Sequence, residues 1–346
     1  MKTTFLLLVV LITTTAKADE FISHFVNVGQ ADATILEFSK GIVMIDIGGE
    51  NNAVRESQDS LENYMGKLFS RRSDLSKTID FLILTHNHAD HVSLIGWLST
   101  NYKIKRIITT NYELWKRKDV SKAASDEGVT LELIDYKLMD KLMPNGFSVD
   151  ISKLVDGEVI PKLVLYSGQI DTVKQEVNNV KFTESAFKET ANNHSIVCKL
   201  TYGEASMLFT GDLELEGIKY LLAKYDKNPD IFEVDFYHVG HHGAENGTNK
   251  ELLERLKPKV AIISAGNPKH INSGSANQHA HPRKKTVKRL NDFETIQKSN
   301  ITKMVLVYAK FKAKPAPIEI TKQIHCTCWS GSLSFTINSD GSYLQN

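Results

Sequence analysis

The chain has 346 residues, 41% of them hydrophobic, and 42 Lys and Arg against 41 Asp and Glu give it a net charge of +1. That length is enough for one large or two small domains with a sizeable core. A balance so near neutral excludes a uniformly basic nucleic-acid-binding surface, although not a single charged groove.

Residues 1–18, MKTTFLLLVVLITTTAKA, open on Lys2, continue as eight apolar residues from Phe5 to Ile12, and close with small residues at Ala16 and Ala18. This is the pattern of a cleaved secretory signal, and the apolar run is too short to span a bilayer. The expectation is an exported chain, periplasmic or secreted, that starts at Asp19 and carries −1 after losing two lysines. A main domain is expected over 19–300, with C-terminal strands and a tail over 301–346.

In FISHFVNVGQADATILEF (21–38) apolar and polar residues alternate, with a break at VGQ. GIVMIDIGGE follows a short turn at Ser39-Lys40-Gly41, predicting a hairpin. The spacing of Val54, Leu61, Tyr64, Met65 and Leu68 predicts a helix over 54–70. IDFLILTH reads as a buried strand, HVSLIGWLST as a helix, and KRIITTN as the next strand. Residues 112–180 carry no chemical motif and are read as a possible insertion shaping the substrate site. From Asn192 the pattern sharpens: two strands around a Gly203-Glu204 turn, a helix at LEGIKYLLAKY, and strands at VDFYHV and KVAIIS. A helix follows at PRKKTVKRLNDF, with strands near 305 and 317. Two halves of strands and helices, with polar clusters at the strand ends, predict an α/β sandwich with its site on the connecting loops.

The strongest chemical signal is LTHNHADH, residues 84–91. On an extended loop His86 and His88 point the same way and can reach one ion, while a turn at Ala89 sends Asp90 and His91 toward a second. Imidazole and carboxylate suit zinc, and also manganese or iron. Asp212, at the end of MLFTGD, is placed as a carboxylate bridging both ions. His242 is expected on the second ion and His241 on the substrate, although the two are exchangeable. His238 reads as a packed histidine. His194 in NNHS is expected to complete the first ion's shell, with a hydrogen-bonding loop as the competing assignment. His281 is placed to bind a substrate oxyanion, with Pro282 suited to a first helical turn. The basic run Arg283, Lys284, Lys285, Lys288 and Arg289 is a solvated helix face that could steer a phosphate. The expected metal set is thus His86, His88, Asp90, His91, His194, Asp212 and His242, holding two divalent ions. Asp90, His241 and His281 are assigned to catalysis. Cys198 reads as a buried strand residue, and Cys326 and Cys328 as structural, since a zinc site there lacks a second ligand pair.

HNHADH, TGD and GHHG, in that order, resemble the metallo-β-lactamase superfamily. VGQADATILEF with MIDIGG is similar to the opening of its ComEC-type branch, the hydrolase domain of DNA-uptake competence proteins. NNHSIVCKL, LFTGDLE, VGHHG and the later HP extend the likeness over roughly residues 21–290. The resemblance implies an αββα sandwich with a dinuclear, usually zinc, centre held by His86, His88, Asp90, His91, Asp212 and one of His241 and His242. It also implies that Asp32 and Asp46 orient the ligand loops. Two features depart from the branch: GQAD stands in place of GQGD, and AENGT follows GHHG where the branch tends to be Ser-rich. The chemistry implied is hydrolysis by water activated between two ions, with a phosphodiester (nucleic acid or a phosphorylcholine-type ester) as first substrate class. A β-lactamase or lactonase is the alternative enzyme, and a metal-site binding protein without catalysis the alternative outside enzymes.

Overall fold

The computed structural model describes residues 20–51, 53–171, 176–267 and 279–346, so the secretory signal expected at 1–18 lies outside the described residues. The first half runs β1 (Glu20–Phe25), β2 (Thr34–Glu37), β3 (Ile42–Ile45), α1 (Val54–Arg71), β4 (Thr78–Leu84), α2 (Ile95–Asn101), β5 (Lys103–Thr109), α3 (Lys118–Ala124), β6 (Thr130–Leu133) and α4 (Tyr136–Lys141). The second runs β7 (Phe147–Val149), β8 (Lys162–Leu165), a small hairpin β9 (Glu176–Val177) and β10 (Val180–Lys181), then β11 (Cys198–Tyr202), β12 (Ala205–Phe209), α5 (Leu215–Lys224), β13 (Phe236–His238), α6 (Lys250–Leu256) and β14 (Val260–Ile263). It closes with α7 (Lys284–Asp292), β15 (Lys298–Tyr308), β16 (Pro315–Lys322), β17 (Ile324–Cys326), β18 (Leu333–Asn338) and β19 (Tyr343–Gln345).

These strands form two large sheets, in the orders β19-β18-β1-β2-β3-β4-β5-β6 and β17-β14-β13-β12-β11-β8-β7. Each sheet is antiparallel on one side and parallel on the other: β3, β4, β5 and β6 run together in the first, and β12, β13, β14 and β17 in the second. Parallel pairs need crossovers, and these are the helices on the outer faces. Alternation along the strands sorts the side chains. Val43 and Ile45 of β3 face the layer between the sheets, with Phe209, Phe236 and Phe335, while Ile42 and Met44 pack under α1 against Leu61 and Met65. In the second sheet Leu208, Tyr237 and Ile263 face out onto Ile218, Leu221 and Leu252 of α5 and α6. Three apolar layers between four layers of structure make the expected αββα sandwich.

Two parts of the chain take places in the sheets that their sequence pattern does not reveal. The 112–180 segment is mostly framework: β6 extends the first sheet and β7 and β8 the second. Its start reaches the loop of the candidate site, where the Asn87 amide donates to Tyr112 O at 2.5 Å. The C-terminal segment is likewise built into both sheets, since β18 pairs with β1 and β17 with β14. Beside them Cys326 and Cys328 form a disulfide, and Cys198 is a free, buried thiol of the inner layer. Among the described residues, no helix is long and apolar enough to cross a membrane.

Candidate metal centre

The parallel strands of both sheets end at one edge, and the loops leaving those ends build the site. β3 leads to Asp46, β4 to His86–His91, β12 to Asp212 and β13 to His238–Gly243. Backbone bonds lock the first two loops together. Asp32 N donates to Asp90 O at 3.0 Å, Ile47 N to His91 O at 2.8 Å, and Gly48 N to Asp32 O at 2.8 Å. A Cβ on Gly48 would sit 1.7 Å from Asp90 O, so the close approach of these loops demands glycine there. On the other loop His241, His242 and Gly243 all take left-handed backbone, at φ 53°, 52° and 77°. For a non-glycine residue that costs of order 1–3 kcal/mol. The turn is held by His241 N to Gly211 O at 3.1 Å and Arg283 N to Gly243 O at 3.0 Å.

Three imidazoles are oriented in the same way. The Nδ1 of His91 donates to Asp46 Oδ2 at 2.7 Å. The Nδ1 of His242 donates to Ser264 O at 3.0 Å. The Nδ1 of His86 lies 3.2 Å from Thr85 Oγ1, whose proton goes to Asp46 Oδ2 at 2.8 Å. Each bond fixes the proton on Nδ1 and leaves the Nε2 lone pair free, which is the tautomer a metal ligand needs. All three Nε2 atoms are buried and, among the described residues, lack a hydrogen-bond partner, as does Asp212 Oδ1. They converge: His91 Nε2 lies 3.2 Å from Asp212 Oδ1, and His242 Nε2 is 3.4 Å from Asp90 Oδ2 and 3.6 Å from Asp212 Oδ2. Ligand atoms of Asp32, His91, Asp212 and His242 all lie within 4.8 Å of one another. The His86 ring is 4.7 Å from that of His88 and 4.2 Å from that of His91, bringing the first pair of histidines beside this group.

The electrostatics fit a cation. Burial opposes charge on His91, yet Asp212 and Asp46 overrule it and hold the imidazole well above its ordinary value. His242, also opposed by burial, is held up at about 9 by Asp212, Asp90 and Asp32. Among the described residues these buried carboxylates have no Lys or Arg partner; they draw protons onto neighbouring histidines, and a divalent ion answers the same demand. The buried cluster of Asp and His is therefore capable of binding metal.

The remaining candidates take distinct places. His88 is exposed at the mouth. His241 stands between Asp212 and Glu214, its nitrogens 3.8 Å from each carboxylate, and the geometry puts His242, not His241, in the four-residue group. His281 is buried in the cleft wall, its ring 5.6 Å from that of His241. Burial, helped by His241, His242 and Arg283, holds it well below the ordinary value and so neutral. A cleft of about 270 Å³ opens above the cluster, lined by His88, Asp90, Asp212, His241, His242 and His281, and also by Gln30, Asn51, Asn192 and His279.

One expectation is corrected. His194 accepts from Ile170 N at Nδ1 (2.9 Å) and donates to Phe187 O from Nε2 (2.6 Å), with its ring stacked on Tyr112 at 3.7 Å. Both nitrogens are spent on backbone, so it has no lone pair for an ion and acts as the hydrogen-bonding loop residue. Sequence reading also left out residues that the fold brings in. His279 could have been found in H-A-H-P as a neighbour of His281. Asp32 was assigned to orienting loops, yet it stands in the cluster, 3.3 Å from His238 Nε2 and 3.7 Å from His242 Nδ1. His238 and His242 bring Asp32 to about 2, against its burial.

A sandwich of two mixed sheets with a buried His and Asp cluster at the ends of the parallel strands defines a class, and the profile described as "Metallo-beta-lactamase superfamily" matches residues 26–267. The chain belongs to the metallo-beta-lactamase superfamily. It is 30% identical over 275 residues to ComE operon protein 3 of Bacillus subtilis, a match that covers 77% of this chain and 30% of that protein. Recombination protein 2 of Haemophilus influenzae is 39% identical over 80 residues, covering 22% of this chain and 9% of that one. The chain thus spans under a third of the length of these relatives. Among solved structures, it is similar to the metallo-beta-lactamase fold protein YhfI of Bacillus subtilis, with a TM-score of 0.41, 10% identity, and cover of 70% of this chain and 85% of that one.

Proposed function

We propose that the chain is an exported hydrolase of phosphodiesters that works with two divalent ions, zinc by ligand chemistry, bound by His86, His88, Asp90, His91, Asp212 and His242. The observation that carries this reading is the convergence of the His91 and His242 Nε2 atoms on Asp212, with the His86 ring beside His91 and each of the three imidazoles fixed by a bond at Nδ1. When bound, such ions supply an activated water and offset charge developing on the phosphoryl oxygens. The protein's own part is to hold the ligands still and to dress the substrate. Asp46 and Thr85 fix the imidazoles of His91 and His86, and Ser264 O fixes His242. His281, kept neutral, presents to the cleft an Nδ1 that has no partner among the described residues, and offers a hydrogen bond to a phosphoryl oxygen. His241, beside Asp212 and Glu214, is placed to hold or pass a proton at the leaving oxygen. Gln30 and Asn192 supply uncharged polar groups to the same walls.

The phosphodiester is favoured over a lactam or lactone because the cationic side chains Arg283, Lys285, Arg289 and Lys310 border the mouth. A neutral ring substrate has no use for them. Export rests on the pattern of residues 1–18, with which a disulfide at Cys326 and Cys328 agrees.

The test is metal content of the purified protein together with turnover of bis(p-nitrophenyl) phosphate, with His88→Ala as control. About two ions per chain and turnover lost in the variant support the reading. Two ions without phosphodiester turnover move the substrate to carboxyl-type compounds. No metal after reconstitution removes the site and leaves a polar loop.

A further inference from the structure

Beside the metal cleft lies a second, larger depression of about 690 Å³, lined by Arg283, Lys285, Arg289, Lys310, Phe311 and the loop after His242. His241, His279 and His281 belong to both walls, so the two cavities are one continuous surface. Glu245 is the only acid on the groove wall among the described residues, and it pairs with Lys285. Among the described residues, neither the Arg283 guanidinium nor the Lys310 ammonium has a carboxylate within ion-pair distance. The far wall is the tip of the β15–β16 ribbon. Its position is set by Tyr308 N donating to Pro282 O at 3.0 Å and by a bridge between Arg283 and Tyr308, which tie the ribbon to the segment entering α7. At that tip Phe311 is 52% exposed and stands between Lys310 and Lys312, whose ammonium lies 5.3 Å from its ring centroid.

An exposed phenylalanine flanked by lysines, on a ribbon anchored to a basic helix, is costly for solubility and useful for stacking. Bases stack on aromatic faces without regard to sequence, while flanking cations take the phosphates. A substrate that filled only the 270 Å³ cleft would leave these groups without a partner.

Given a phosphodiester hydrolase, on which this step rests, we propose that the groove is a subsite for the strand flanking the scissile bond: the substrate is a single-stranded oligonucleotide, with Phe311 stacking a base and Arg283, Lys285 and Lys310 holding phosphates. A duplex keeps its bases stacked on one another and cannot offer one to Phe311. A phosphorylcholine-type ester has no second phosphate to place. Phe311 and Lys310 are positioning residues that touch the chain away from the reacting atoms.

The experiment reads binding apart from turnover. A fluorescein-labelled twelve-nucleotide oligothymidylate is titrated by anisotropy into chelator-treated protein, across a salt series, for wild type, Phe311→Ala and Lys310→Glu. Stacking predicts at least about fivefold weaker binding for Phe311→Ala. Lys310→Glu should also flatten the dependence of log affinity on log salt by about one phosphate's share, roughly 0.7. In the loaded enzyme, Phe311→Ala should cleave bis(p-nitrophenyl) phosphate as the wild type does and lose rate on the oligonucleotide through KM. Equal binding by all three proteins overturns the subsite, as does equal affinity for a duplex of the same length. Absence of turnover on the small diester in wild type instead overturns the hydrolase reading, while the anisotropy result still decides what the groove binds.

Discussion

Asp46 Oδ2 accepts the Nδ1 proton of His91 at 2.7 Å, and the same carboxylate takes Thr85 through its amide at 2.7 Å and its hydroxyl at 2.8 Å. One side chain at the end of β3 thereby orients His91 directly and His86 through Thr85. Asp46 itself sits in left-handed backbone, at φ 60°, which Asp and Asn tolerate better than most residues.

Asp46→Asn is therefore expected to keep the fold and weaken metal binding. Asn has one acceptor oxygen where Asp46 uses two, so either Thr85 or His91 loses its partner. Loss of such an outer partner reduces metal affinity by about 10–100-fold. Competition with a chromophoric chelator measures this directly, with circular dichroism as the check on folding. Unchanged affinity would mean that the His91 tautomer is set elsewhere.

This relationship was only half legible in the sequence. H-x-H-x-D-H carries the metal reading because the candidate ligands are neighbours along the chain, so local spacing reports their geometry. Asp46 was identified through resemblance, and its bond to His91 joins residues 45 apart. His194 shows the converse. Its neighbours Asn192 and Ser195 belong to a loop beside Asp212, with Ser195 Oγ accepting from Asp212 N at 3.1 Å, so the position was right and the direction wrong. Which way a ring turns depends on long-range partners such as Tyr112, and no local pattern encodes those. The 112–180 segment is hard to read in the sequence for a related reason: short strands such as β7 and β9 owe their existence to their sheet partners, not to alternation of their own.

His194→Ala tests that correction. It strands Ile170 N and Phe187 O, both buried, and removes the stack on Tyr112. Unsatisfied buried groups cost about 1–3 kcal/mol each, so about 3 kcal/mol of stability should disappear. Metal content by mass spectrometry should stay at the wild-type value. A variant that melts like the wild type but carries one ion fewer would restore His194 as a ligand.

Gly48→Ala should be severe where Gly49→Ala is mild. At Gly48 a Cβ meets Asp90 O at 1.7 Å, Asp90 C at 2.2 Å and His91 N at 2.7 Å, all backbone of the metal loop. At Gly49 the nearest atoms are Ser57 Cβ at 3.1 Å and Leu94 side-chain carbons at 3.3 Å, which can give way. The first change must push the β3 loop off the metal loop. The expected cost is about 3 kcal/mol, with metal affinity at least tenfold lower, while the second keeps near wild-type affinity. Chelator competition and urea unfolding on both variants decide it, and equal behaviour would show that the loops are not in contact.

Far from the Asp and His cluster, Glu37 gives a pH dependence of its own. Burial opposes its charge, but bonds from His24 at 3.1 Å, Arg71 at 2.5 and 2.8 Å and Arg72 at 2.9 Å overrule it and hold the carboxyl far below the ordinary carboxylate range. The folded value is thus depressed relative to the unfolded one. The stabilisation is complete above the unfolded value of about 4.5, and is lost as pH falls from there toward the folded value, because the unfolded chain takes up the proton first. Glu37→Gln removes a buried charge that His24, Arg71 and Arg72 surround, and takes from the largely buried Arg72 one of its two carboxylates, Asp74 staying at 2.7 Å. It should cost about 3 kcal/mol at pH 7. The gap between variant and wild type in urea midpoint should hold from pH 7 to 5 and narrow steadily toward pH 3. Arg71, half exposed, is the partner that water can replace, so Arg71→Gln should show the same narrowing from a smaller gap. A Glu37→Gln gap that stayed constant down to pH 3 would mean that Glu37 contributes packing and hydrogen bonds, and not charge.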